Sequence, residues 1–381
     1  FYAKTVRDWT DAALPDGRLT DTAPFVGVDY CGVGWAMVHP LLLEQLQQHY
    51  GAHQLIEANF SAAIRWLDTV AALREAGLVV SGLGDHEALG GRAAGPALTT
   101  PKFIDSARMI ARLAQTIGRD ADAKRALHYA AESSVAWQQA FLDPATGKVS
   151  QGTQSAQTFA LGFADTAPQT QELIFQQLVE NLTAPDDGAR LTTGIYGTRI
   201  LLEQLSQRGR TDLAYALATR ETYPSWGYML KNGATTLWEN WEGSDGSFSN
   251  NHPMFGSISA WFFRWLGGIQ PAEDAIGFDR IHIRPQIPSG LEWVKTSHDS
   301  IRGTIVSNWT AGPAKNKHEI VIPPNTIAII ELPAGIDAKV TESGTAINQA
   351  AGVKVLPRQS MDTVRMKVLS GHYHFNVSQK L

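Results

Sequence analysis

Residues 254–288 read MFGSISAWFFRWLGGIQPAEDAIGFDRIHIRPQIP, and the texture of the chain changes inside them. Up to Leu266 the apolar residues crowd together as in a packed helix. Beyond GGIQPAEDAIG they come in short β-branched blocks. Upstream, from about residue 40, helical spacing prevails. Ile56, Phe60, Ile64, Leu67 and Val70 make one stripe, and Ile104, Met109, Leu113 and Ile117 make another. The spacing predicts further helices over about 121–142, 154–165, 168–182, 194–206, 211–219 and 254–266. Loops of uneven length separate them, among them SGLGDHEALGGRAAGPALTTP at 81–101. Successive helices with such loops between them suggest an α/α toroid, in which the loops at one end build a cleft. Downstream, IRGTIVSNW, HEIVIPP, TIAIIELP, AKVTES, TVRMKVL and YHFNVS alternate with turn residues, which predicts antiparallel strands in a sandwich. The expected organisation is a mainly α region, 1–268, followed by an all-β domain, 269–381.

Composition narrows the function. At 381 residues the chain exceeds the size at which one core usually stops growing, so two domains are expected. A formal charge of −5, with Lys and Arg forming no run, argues against nucleic acid and anionic membrane as partners. No apolar run is long enough to span a bilayer. The single cysteine, Cys31, leaves no internal disulfide and no thiolate metal cluster. Eleven tryptophans, several beside Gly, Asp, Glu or Asn, suit sugar recognition, because indole faces stack on sugar rings while carboxylates and amides bond hydroxyls. Tryptophan-rich cores would give the same count.

The densest chemistry lies in YPSWGYMLKNGATTLWENWEGSDGSFSNNHPMFGS, residues 223–257. Trp226, Tyr228, Trp238 and Trp241 surround Glu239 and Glu242, and the stretch leads to Asn251-His252. Aromatics flanking carboxylates offer stacking for a ring and an acid or base for its anomeric centre. The competing reading has the tryptophans closing the core and the glutamates facing solvent. A second loop, SGLGDHEALGG at 81–91, sets Asp85, His86 and Glu87 side by side. They could bond vicinal hydroxyls or supply an acid, but no metal-site spacing accompanies them. In VDYCGVGWAMVHP, residues 28–40, Tyr30 and Trp35 could wall a cleft or lie in a buried loop, and His39 before Pro40 reads as structural. The four Asn-x-Ser/Thr sequons, at Asn59, Asn181, Asn308 and Asn376, are read as chance. No cofactor is implied.

The runs PSWGYMLKNGATTLWENW, NHPMFGSISAWFFRWLGGI and GLGDHEAL resemble bacterial α-L-rhamnosidases of glycoside hydrolase family 78. So do LTTGIYGTRILLEQL at 191–205 and FDRIHIRPQIPSGLEWVKTSHDSIRGTIVSNW at 278–309, and the likeness runs in order along essentially the whole chain. It implies an (α/α)6 barrel followed by an antiparallel β-sandwich, removal of terminal α-L-rhamnose with inversion, and a rhamnose-containing carbohydrate as substrate. Glu239 matches the general base. Asp85 matches an aspartate that holds rhamnose hydroxyls, with His86 standing where the family has tryptophan. His252 matches a histidine near the sugar. Trp35 matches a tryptophan of a GWGDA stretch whose Asp is absent here.

The resemblance also implies a general acid in an acidic, arginine-containing motif upstream of FYAKTVRDW, with about nine helices predicted here against the barrel's twelve. The expectation is therefore a barrel completed by an N-terminal segment or a second polypeptide. The alternative is altered chemistry with Asp85 or Glu87 as acid. Two other classes stay open: a polysaccharide lyase on rhamnosyl–uronate linkages, with His86 and a cation such as Arg92, and a non-catalytic sugar-binding relative. The compartment is not legible in the sequence.

Overall fold

The computed structural model describes residues 1–89, 95–185, 187–243 and 249–378. Arg92, named above as a cation for lyase chemistry, lies outside them. By contact the chain divides into two compact units. One comprises Phe1–Leu46, Ala52–Arg208 and Ala216–Phe255; the other comprises Gln47–Gly51, Gly209–Tyr215 and Gly256–Leu381.

The first unit is helical. Its longer helices are Val38–Tyr50, His53–Ala72, Gly95–Thr116, Asp120–Phe141, Gln154–Phe163, Pro168–Thr183 and Gly197–Gln207, and the first of them ends in the other unit. Gly95–Thr116 packs on Asp120–Phe141, and Gln154–Phe163 packs on Pro168–Thr183, so neighbours in sequence pair as hairpins in the manner of an α/α toroid. The stripes explain the packing: Ile56, Phe60, Ile64 and Leu67 are buried, as are Ile104, Met109 and Leu113. Pro101 sits inside a helix, where it removes the N–H that would bond Ala97. The Trp137 indole N–H fills that gap, donating to the Ala97 carbonyl at 3.0 Å. Thr153 caps Gln154–Phe163 by accepting from the Ala156 N–H, and Ser225 caps the short helix Trp226–Lys231 by accepting from Tyr228. No described helix is long and apolar enough to cross a membrane.

Two helices differ from expectation. The helix predicted over 194–206 begins at Gly197, because a carboxylate from elsewhere in the chain captures the N–H groups just before it. The one predicted over 254–266 is a succession of turn types: 3-10 over Pro253–Ser257, α over Ile258–Trp261 and π over Phe262–Leu266.

The second unit is built on two sheets. One runs Ile269–Pro271, Arg280–Ile283, Ile327–Pro333, Thr363–Val368, Val353–Leu356 in spatial order. The other runs Trp293–Val294, Gly303–Thr310, Lys315–Ile322, Gly371–Ser378, Lys339–Glu342, Thr345–Ala346, with Ser297–Ser300 also pairing on Gly303–Thr310. Alternate residues of both sheets form one apolar core, including Ile281, Ile330, Val364, Ile320 and Phe375. One pairing departs from the antiparallel expectation, since Arg280–Ile283 runs parallel to Ile327–Pro333. Residues 47–51, where the helix Val38–Tyr50 ends, belong to this unit, with the Gly277 N–H donating to Gln48 at 2.7 Å and His49 edge-on to Phe278.

Candidate active site

The loop carrying Asp85, His86 and Glu87 is tied down along its length. Leu83 N–H donates to Cys31, Leu89 N–H to Thr192, and Ile195 N–H to the His86 carbonyl at 2.9 Å. Glu87 takes a left-handed backbone, φ 61°, which turns the chain between His86 and Ala88. Asp85 is the knot. Its Oδ2 accepts from Ser155 Oγ at 2.6 Å and from Gly194 N–H at 2.8 Å; its Oδ1 accepts from Tyr196 and Gly197 N–H at 3.1 and 2.9 Å. Those last two donors open the helix Gly197–Gln207, where a negative charge is favoured and N–H groups lack helical partners. A carboxylate has about four acceptor positions, and protein donors fill them here.

Beneath this loop lies Lys102, wholly buried. Its ammonium donates to the Leu83 and Gly84 carbonyls at 3.1 and 2.8 Å and stands 3.7 Å from the centroid of the Tyr196 ring. Gly34 permits the approach, because a Cβ there would meet Lys102 Nζ at 2.9 Å and the Tyr196 hydroxyl at 3.0 Å. Burial pushes the Lys102 ammonium down to about 7, with Asp85 opposing the shift. The same lysine in the unfolded chain keeps its proton up to 10.5, so above about pH 7 the unfolded state binds the extra proton and stability rises with pH. Native protein is expected to show a rising urea midpoint between about pH 7 and 9, and Lys102→Met to lose that rise. Above 9.0 the buried Cys31 thiol, pushed up to about 12, acts in the opposite sense.

Glu239 enters from the other side. Its own N–H donates to Ser249, and His252 N–H donates to Leu237, so residues 237–239 and 249–252 are zipped together. Trp241 anchors the segment from below. It is fully buried, edge-on to Trp226 with ring centroids 5.3 Å apart, tilted on Phe255 at 4.0 Å, and its indole N–H donates to Thr193 at 3.1 Å. What remains accessible of Glu239 is 13% of the side chain, and it faces His86: Nε2 lies 3.3 Å from Glu239 Oε1 and 3.4 Å from Glu87 Oε1. One imidazole nitrogen thus sits between two carboxylates, His86 and Glu87 each being about one-third exposed.

The structure brings together Glu239, His86 and Glu87, with His252 on the same segment as Glu239. His252 is half-buried, and its Nδ1 is a buried atom without a hydrogen-bond partner among the described residues. Trp35 is half-buried and meets Tyr196 edge-on at 5.8 Å. Three expectations need correction. Trp226, Trp238 and Trp241 are buried, Trp241 completely, so no face of Trp241 is free to stack on a sugar; they close the core, the competing reading of the sequence. Asp85 has its acceptors occupied by the protein. Glu242 is exposed and receives the Tyr223 hydroxyl. Sequence reasoning missed Lys102, Ser155 and Tyr196. A signal existed for the first, a lysine in register with Met109 and Leu113 on the buried stripe of its helix, and for the last, a tyrosine between two glycines in GIYG. Among the described residues no group of three or more His, Cys, Asp or Glu is placed to hold a metal ion.

Comparison with known proteins identifies the family. Residues 1–266 match the bacterial alpha-L-rhamnosidase 6 hairpin glycosidase domain, and residues 268–346 match the bacterial alpha-L-rhamnosidase C-terminal domain. An alpha-L-rhamnosidase of Streptomyces avermitilis is 30% identical over 389 residues, covering 99% of this chain and 36% of its own length. One from Alteromonas sp. (strain LOR) is 29% identical, covering 88% and 38% respectively. The chain therefore spans a little over a third of the length of these relatives. The S. avermitilis alpha-L-rhamnosidase solved with L-rhamnose superimposes over 98% of this chain and 36% of its own, with TM-score 0.88 and 28% identity. The alpha-L-rhamnosidase of Dictyoglumus thermophilum, at 24% identity, shares the fold over 99% of this chain and 43% of its own, with TM-score 0.91. With both matched domains following one another in order, the chain belongs to the bacterial α-L-rhamnosidase family.

Proposed function

We propose that the protein hydrolyses terminal α-L-rhamnosides, releasing rhamnose from an oligosaccharide, polysaccharide or glycoside with inversion. The observation that carries the reading is the mostly buried Glu239 carboxylate, zipped to its neighbours through the backbone and held against His86. As general base Glu239 takes a proton from water while the water oxygen bonds to the anomeric carbon. The bond to the leaving oxygen breaks as an acid protonates that oxygen. His86 fixes the orientation of the Glu239 carboxylate. His252 presents its half-buried imidazole beside the sugar, and Trp35 walls the ring. Asp85 positions the loop instead of touching the sugar.

The acid is assigned to a segment outside residues 1–381, where the family's acidic motif would stand. A second reading has Glu87 as the acid, favoured by its place across the same imidazole nitrogen. The test is hydrolysis of an aryl α-L-rhamnoside followed by proton NMR. The expected first product is β-L-rhamnose. Retained α anomer would overturn inversion, an unsaturated product absorbing in the ultraviolet from a parallel incubation with a rhamnosyl–uronate polysaccharide would favour a lyase, and rhamnose binding without turnover would favour a binding role. Glu87→Gln separates the two acids: unchanged turnover places the acid elsewhere.

A further inference from the structure

The outer face of the five-stranded sheet carries charge that its own folding does not explain. Glu331 lies at its centre, with 10% of its side chain exposed, and two guanidiniums and an imidazole converge on this one carboxylate. His282 Nε2, Arg284 Nε and Arg365 Nε stand 3.2, 3.4 and 3.3 Å from its oxygens. One negative charge cannot balance two guanidiniums, and Arg284 and Arg365 remain 40% and 28% exposed. The next cross-strand row runs Gln270, His282, Ile329, Lys367, Lys354, each residue opposite the one before. It ends with two lysines directly opposed on adjacent strands, both exposed. Like charges so placed destabilise a sheet. Arg280, nearby, is already neutralised by Asp274. The chain as a whole carries −5, so this cationic face runs against its average.

We propose that this face binds anionic polysaccharide, its carboxylate or sulfate groups lying along the cationic rows from His282 and Arg284 to Lys354. Three strand spacings make such a row about 14 Å long, enough for several sugar residues. The choice of polysaccharide over other polyanions rests on the proposed glycosidase function; the binding measurement does not need turnover, so each can fail without the other. Lys354 and Lys367 touch neither Glu331 nor the core, which makes them safe to change.

The experiment is affinity electrophoresis and titration of the full chain against a polyuronate, dextran sulfate, neutral dextran and a DNA duplex. The expected result is salt-sensitive binding to the anionic glycans, none to dextran, and roughly tenfold weakening in Lys354→Gln/Lys367→Gln. Tighter binding to polyuronate assigns carboxylates as the ligand groups, and tighter binding to dextran sulfate assigns sulfates. Absence of binding, binding untouched by the double variant, equal binding to dextran, or tighter binding to DNA would each overturn the proposal.

Discussion

Glu239→Gln is expected to lower kcat for an α-L-rhamnoside by roughly 10²–10⁴-fold while leaving affinity for rhamnose within a few-fold of native. The variant keeps the length and shape of the side chain, and its amide still meets His86, so the backbone pairing of Leu237 and Glu239 with His252 and Ser249 has no reason to move. What disappears is the capacity to accept a proton from water. That capacity matters only on the way to the transition state, so the loss falls on kcat and spares ground-state binding. Steady-state kinetics and rhamnose titration calorimetry, run on polypeptide that turns over before mutation, separate the two. Near-native kcat would remove Glu239 from the role of base. A parallel loss of rhamnose affinity would instead point to displacement of the paired backbone around Glu239.

Gly194→Ala should be almost as damaging although residue 194 touches no substrate. A Cβ there would stand 1.8 Å from the His86 carbonyl oxygen and 2.8 Å from Ala88 N, and both are backbone atoms with no side-chain rotation to escape by. The loop must shift, stretching the bonds from Ile195 N–H to His86 and from Gly194 N–H to Asp85. Overpacking of this kind costs about 1–3 kcal/mol of stability. Activity should suffer more, by about 100-fold, because displacement near 1 Å ruins reacting geometry. Gly95→Ala is the control: its Cβ meets nothing within 4 Å among the described residues and should leave both properties intact. Denaturant unfolding with kinetics on the two variants checks this, and a Gly194→Ala protein with native kcat would show that the His86 loop tolerates movement.

Much of the fold was legible because burial leaves a periodic mark. The stripes through Ile56 to Leu67 and Ile104 to Leu113 predicted helices that are buried on those faces, and the change of texture past Leu266 predicted the sheets. The site was legible only in part. Adjacent residues such as Asp85, His86 and Glu87 announce a polar loop, yet nothing in their order says which one the protein keeps for itself. That is decided by donors 70 to 112 positions away, Ser155 and the N–H groups of 194–197. The tryptophans of 226–241 misled for a related reason: an indole that stacks on a sugar and one that closes a core have the same composition. Their burial depends on partners such as Thr193 and Phe255, which local spacing cannot supply. The parallel strand pair was likewise invisible, since alternation records the buried face and not the direction of the neighbour.

The knot at Asp85 also bears on the thermodynamics of ligand capture. With the loop fastened to Cys31, Thr192, Ile195 and the helix at Gly197, its conformational freedom is lost when the chain folds. A sugar arriving later has little backbone left to order in residues 83–89, so this part of the loop should add only a small configurational penalty to its association.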